Sequence, residues 1–121
     1  LVALKQACAA IVRSHPDVRV MMLSDYDLAN DYPIDQKGDG HGGKVETSRM
    51  MDIAPQLSRR AEAEGQYVSH GYLVVPHPET SMPSGYVGPA HEASAELGRK
   101  VNEFIVDRLT EEIERSFGGV R

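Results

Sequence analysis

Val18-Arg19-Val20-Met21-Met22-Leu23 is a short, nearly continuous apolar run. Coming after a helical pattern, it reads as a strand buried on both faces, as parallel sheets require. That reading sets the fold class as α/β: three α/β/α layers, a mainly parallel sheet, and this run as a central strand. Upstream, Leu1, Leu4, Cys8, Ile11 and Val12 repeat at helical spacing, and Ala3, Ala7, Ala9 and Ala10 favour helix, so the spacing predicts a helix over residues 1–13. Pro16 ends it by disfavouring helix at His15, which therefore reads as a helix-end residue and not as a ligand. Downstream, Ser24-Asp25-Tyr26-Asp27 sits at the strand's carboxyl end, where open α/β sheets bind ligands. Asp25 and Tyr26 are thus expected to line a substrate site, with Asp27 beside them. Either Asp taken alone reads more readily as part of a loop that caps the next turn.

The stretch with chemical content comes next: Gly38-Asp39-Gly40-His41-Gly42-Gly43-Lys44-Val45-Glu46-Thr47-Ser48. Glycine backbone reaches conformations that side chains forbid and approaches a ligand closely, so Gly42 and Gly43 are expected to contact substrate. Thr47 or Ser48 is expected to cap a helix running to about Ala54 and stopped by Pro55, with Glu46 favouring its positive end. The same stretch also fits a solvated connector between elements.

Residues 56–64 suggest a second short helical piece ending at Gly65. From there to Gly88 the chain is rich in Gly and Pro. Residues 66–68 and 71–75 could be extended, within an irregular surface excursion. His70, His77 and His91 fall in or beside it without metal-like spacing. Ser94 opens a last helix to about Phe117, with Leu97, Val101, Phe104, Ile105, Leu109, Ile113 and Phe117 as one apolar stripe and Gly118-Gly119 as its stop.

The 121 residues amount to one domain or less. A net charge of −5 argues against nucleic acid, which needs clustered Lys and Arg; Arg59-Arg60 and Arg99-Lys100 are the only basic doublets. Cys8 is the only cysteine, so no internal disulfide framework exists, a cytoplasmic setting fits, and a buried structural thiol is expected. No apolar run reaches transmembrane length, and no membrane partner is expected. The chain lacks an initiator Met and starts inside a helical pattern, so it is expected to be part of a larger polypeptide.

Three stretches together resemble the creatininase family of amidohydrolases. Asp39-Gly40-His41-Gly42-Gly43-Lys44-Val45-Glu46-Thr47-Ser48-Arg49-Met50-Met51 is similar to the family's Asp-x-His-(Ala/Gly)-Gly-x-x-Glu-Thr-Ser-x-x-(Leu/Met). Gly85-Tyr86-Val87-Gly88-Pro89, running into Ala93-Ser94-Ala95-Glu96-Leu97-Gly98, resembles the family's ending without its Asp before Pro. Residues 24–27 fall where the family places a site-lining loop. The resemblance implies hydrolysis of a small cyclic amide or formamide at a divalent metal centre, Zn foremost, Mn or Fe as alternatives, with one or two ions. It assigns His41 to proton transfer to the leaving nitrogen and Asp39 to orienting His41 or binding substrate N–H groups. Glu46 would be a metal ligand, or would hold the metal's ligands in place.

It further implies that residues 1–121 are the C-terminal portion of one amidohydrolase domain. An N-terminal half, bearing a Glu-x-His segment, a metal-bridging Asp and an Asn-Gly-His motif, would be the partner that carries most metal ligands. Such units would assemble as homo-oligomers, and alone the chain is expected to fold poorly. Two departures point away from creatinine as substrate. Creatininase uses two tryptophans, whereas this chain has none, with Tyr26 at one matching position and Lys37 near the other. Gly40 also replaces a glutamate before the histidine. Deformylase-like or peptidase-like branches fit as well. The competing class is a non-catalytic subunit or degenerate relative that keeps the fold without metals.

Overall fold

The computed structural model describes residues 2–118. Four α-helices order the chain: α1 (Val2–Ser14), α2 (Asp25–Ala29), α3 (Lys44–Ile53) and α4 (Ala95–Phe117). Three 3₁₀ turns, Pro55–Leu57, Pro78–Ser81 and Ala90–Glu92, punctuate the connections. The chain divides into two units, Leu1–Asp31 with Ile105–Arg121, and Tyr32–Phe104.

The expected sheet is not formed. Among the described residues there is no strand, only an isolated antiparallel bridge between Gly65 and Gly88, so the three-layer α/β/α architecture with a parallel sheet is overturned. Residues 18–23 carry no ladder, and Val18 and Leu23 stay 44% and 36% exposed. The physical reason is pairing. An apolar run becomes a strand only where another strand satisfies its backbone N–H and C=O groups, and none of the described segments does so. Residues 66–68 and 71–75 likewise form no ladder; Tyr72 and Val74 are fully exposed.

In the first unit, α1 forms where its apolar spacing and alanines predict it, although Leu1 lies outside the described residues. No α1 residue is buried, and Cys8 is only half-buried where a buried thiol was expected. Ser24 lies in extended backbone and its Oγ accepts from Tyr26 N, so residues 25–27 open α2 as a capped first turn instead of a loop. Arg19 donates to Ser116 O at 2.9 Å, a guanidinium on the terminal carbonyls of α4.

The second unit holds the glycine stretch. α3 begins at Lys44, three residues before the expected cap at Thr47. Ser48 is fully buried, and its Oγ accepts from Ser94 N at 3.0 Å. Ser94 Oγ in turn accepts from Leu97 N, opening α4 where the sequence places it. Gly119, part of its expected stop, lies outside the described residues. α4 crosses α3 at Gly98, where a Cβ would collide with the Ser48 carbonyl. Asn102 joins the same crossing: its Oδ1 accepts from Arg49 Nε and its Nδ2 donates to Asp52 Oδ2, both at 2.9 Å. Val101 and Ile105 are buried on the stripe, and Phe104 meets Tyr32 edge-on at 5.4 Å between centroids.

Gly98→Ala should therefore force α3 and α4 apart and lower stability by about 1–3 kcal/mol, the range for overpacking. Arg99→Ala, which loses only an exposed ion pair to Glu103, should cost less than about 0.5 kcal/mol. Urea unfolding of both variants distinguishes the two; equal midpoints would contradict the close crossing.

Candidate active site

A helix start leaves N–H groups without intrahelical partners. α3 solves this unusually, because its N-cap residue, Gly43, has no side chain to offer. Asp39 supplies the cap from upstream: Oδ1 accepts from Lys44 N at 2.5 Å and Oδ2 from Val45 N at 2.9 Å. A carboxylate is favoured there by the partial positive charge of the helix end. Gly43 must be glycine for this to work, since a Cβ would strike Asp39 Oδ1 and come within 2.6 Å of Val87 O.

The loop is then clamped. Gly40 N donates to Val87 O at 3.2 Å and Val87 N donates to His41 O at 2.8 Å. Gly88, at φ +98°, lies against Gly38 O and Asp39, where no side chain fits, and exchanges two hydrogen bonds with Gly65. The two motif stretches, 39–48 and 85–89, thus form one scaffold. Gly42 turns the chain at φ +62°, its carbonyl accepting from Thr47 Oγ1 and its N–H donating to Glu46 Oε2 at 2.5 Å. Lys44 Nζ meets Glu92 Oε2 at 2.7 Å and holds the Glu92 carboxyl below its ordinary value, first through the hydrogen bond and then through its charge. That contact strengthens the fold above the ordinary carboxylate range and is lost as pH falls through the lowered value.

His41 stands at the outside of this loop. Its backbone is pinned by Val87, while its side chain is 71% exposed with Nδ1 at 3.8 Å from Glu46 Oε2. Glu46, Gly42 and Thr47 line a pocket of about 250 Å³ together with Met50, Leu57 and Ser58. Arg59 completes the lining. The structure therefore brings His41, Gly42 and Glu46 together. Asp39 is in the same loop, but its hydrogen bonds go to α3. Gly43 is buried beneath it. Asp25 and Tyr26 belong to the other unit, on α2. Sequence reasoning missed Arg59, which it weighed only as part of a basic doublet; its position just after the Pro55–Leu57 turn is what sets it in the pocket.

A family model described as creatininase, creatinine amidohydrolase, matches residues 2–113. The chain belongs to the creatininase family. No curated protein and no solved structure matches it. Creatininase-family proteins are usually hydrolytic amidohydrolases and generally bind a divalent metal such as zinc. A protein zinc site takes three or four side-chain ligands. Among the described residues no three His, Cys, Asp or Glu side chains converge in that way, and His41 with Glu46 gives only two. The residues described do not by themselves form a creatininase-type metal site. No helix among them is long and apolar enough to cross a membrane.

Asp39→Asn should expose the helix start, because one amide N–H would then face an α3 N–H. Loss of a cap is worth about 0.5–2 kcal/mol, so hydrogen exchange at the Lys44 and Val45 amides should quicken by about tenfold. Unchanged exchange would show that the carboxylate does not hold α3.

Proposed function

We propose that this chain is the proton-transferring and substrate-contacting part of a metal-dependent amidohydrolase. It would hydrolyse the C–N bond of a small cyclic amide or formamide other than creatinine. The observation that carries the reading is Glu46, which lines the 250 Å³ pocket and also stands 3.8 Å from the exposed His41 ring. Amide hydrolysis requires a proton on the departing nitrogen, and an imidazole accepts and returns protons near neutral pH. A substrate seated against Glu46 and Gly42 would lie within reach of that ring. Asp39 contributes by fixing the loop.

The divalent ion, Zn foremost with Mn or Fe as alternatives, in one or two copies, needs ligands beyond Glu46. We assign them to a complementary N-terminal half, the resulting units associating as a homo-oligomer in the cytoplasm. The lone cysteine supports that compartment.

Asp39 and Glu46 both spend oxygen atoms on backbone N–H groups, which favours a second reading. In it the chain is a non-catalytic subunit or degenerate relative that keeps the fold without metal. One assay separates the two. Protein purified with everything that accompanies it is measured for bound metal and for hydrolysis of a formamide and cyclic-amide panel. On the first reading His41→Ala lowers turnover by about 10²–10⁴-fold while metal content holds. A variant that keeps its rate would remove His41 from the chemistry, and absence of both metal and turnover would favour the second reading.

A further inference from the structure

The pocket beside Glu46 contains opposite charges that do not meet. Glu46 and Arg59 both line it, yet no ion pair joins them, and the Arg59 guanidinium makes no hydrogen bond among the described residues. Next to Arg59, Ser58 Oγ is buried and without a partner, although it belongs to the same lining. A buried hydroxyl without a partner is costly unless something else satisfies it. Met50 and Leu57 add apolar wall, 43% and 71% exposed, which a bound molecule would cover.

We propose that Arg59 determines specificity here by pairing with a carboxylate on the amide substrate. This rests on the amidohydrolase reading for the word substrate, though not for binding. A guanidinium presents parallel N–H donors matched to the two oxygens of a carboxylate. Charge balance separates carboxylate from phosphate. Glu46 and Arg59 sum to zero, so a carboxylate leaves one net negative charge in the pocket and a phosphate dianion two, and the repulsion from Glu46 disfavours the dianion more. The volume, about 250 Å³, lies below the range of drug-sized sites and suits a compound of few heavy atoms. The substrate class is therefore a small N-acyl or cyclic amide that carries one carboxylate.

The test uses two matched formamides, N-formylglycine and its neutral analogue N-formylglycinamide, titrated into the full chain carrying ¹³C-methyl methionine. The Met50 methyl reports occupancy, since Met50 lines the pocket. N-formylglycine should bind at least about tenfold more tightly than the neutral amide, the difference one charge-assisted hydrogen bond sustains. Arg59→Gln should bring the two within twofold, and Arg59→Lys should retain part of the preference. Arg60→Gln, whose residue does not line this pocket, should leave it intact. Equal binding in the wild type, binding of neither compound, a preference that survives Arg59→Gln, or inorganic phosphate outcompeting N-formylglycine would each overturn the proposal. Discrimination in protein that hydrolyses neither compound supports Arg59 as the carboxylate reader and counts against the catalytic reading alone.

Discussion

The carboxylate of Asp39 on the first turn of α3 is the interaction from which the glycine loop takes its shape. With no side chain at Gly43, the N–H groups of Lys44 and Val45 have no local acceptor, and Asp39 reaches them from five and six residues upstream. That reach draws residues 39–43 into a tight loop with Gly43 packed under the carboxylate and Gly42 in the left-handed region. What remains outside is His41. Its exposure follows from the loop closing behind it, with Val87 holding the backbone on the inner side.

The second motif stretch earns its place as scaffold for the first. Val87 exchanges hydrogen bonds with Gly40 and His41, Gly88 exchanges two with Gly65, and Tyr86 donates to Ala63 O at 3.0 Å. Three distant segments are thereby joined through loop hydrogen bonds and one isolated bridge, without a strand ladder among the described residues. Regularity comes from α3 and α4, whose backbones approach at Gly98 and Ser48. Ser48 is spent on that junction, its hydroxyl accepting from Ser94 N at the start of α4. One residue that looked like a local helix cap instead couples two helices.

How much of this was legible in the sequence depends on whether the deciding partner was local. α1 and α4 were readable because apolar period, alanine content and the Ser94 cap all lie within the element. The family, too, was legible in residues 39–51 and 85–98, and the match over residues 2–113 bears it out. The start of α3 was misplaced because local rules point to Thr47 or Ser48, while the cap in fact comes from Asp39 through the fold of the loop. Residues 18–23 failed for a related reason: an apolar run records burial tendency and β-propensity, and says nothing of whether a second strand exists to pair with it. The argument that set Asp25 and Tyr26 at a sheet edge falls with that strand. In sequence Arg59 is only half of a basic doublet too isolated to suggest nucleic acid, whereas the pocket that it lines arises from the turn at Pro55–Leu57.

The two carboxylates at the head of α3 look alike in sequence and differ in what they have left to give. Both sit where the helix end favours negative charge. Asp39 has both oxygens engaged, one with Lys44 N and one with Val45 N, so its capacity is absorbed by the backbone. Glu46 has only Oε2 engaged, with Gly42 N, and it alone of the pair lines the pocket. A carboxylate offers about four acceptor sites in all, so Glu46 keeps acceptor capacity on one oxygen while its other oxygen, held by Gly42 N, fixes its direction. Asp39 caps the helix, the helix carries Glu46, and Glu46 together with the exposed His41 ring is the pair on which the proposed chemistry rests.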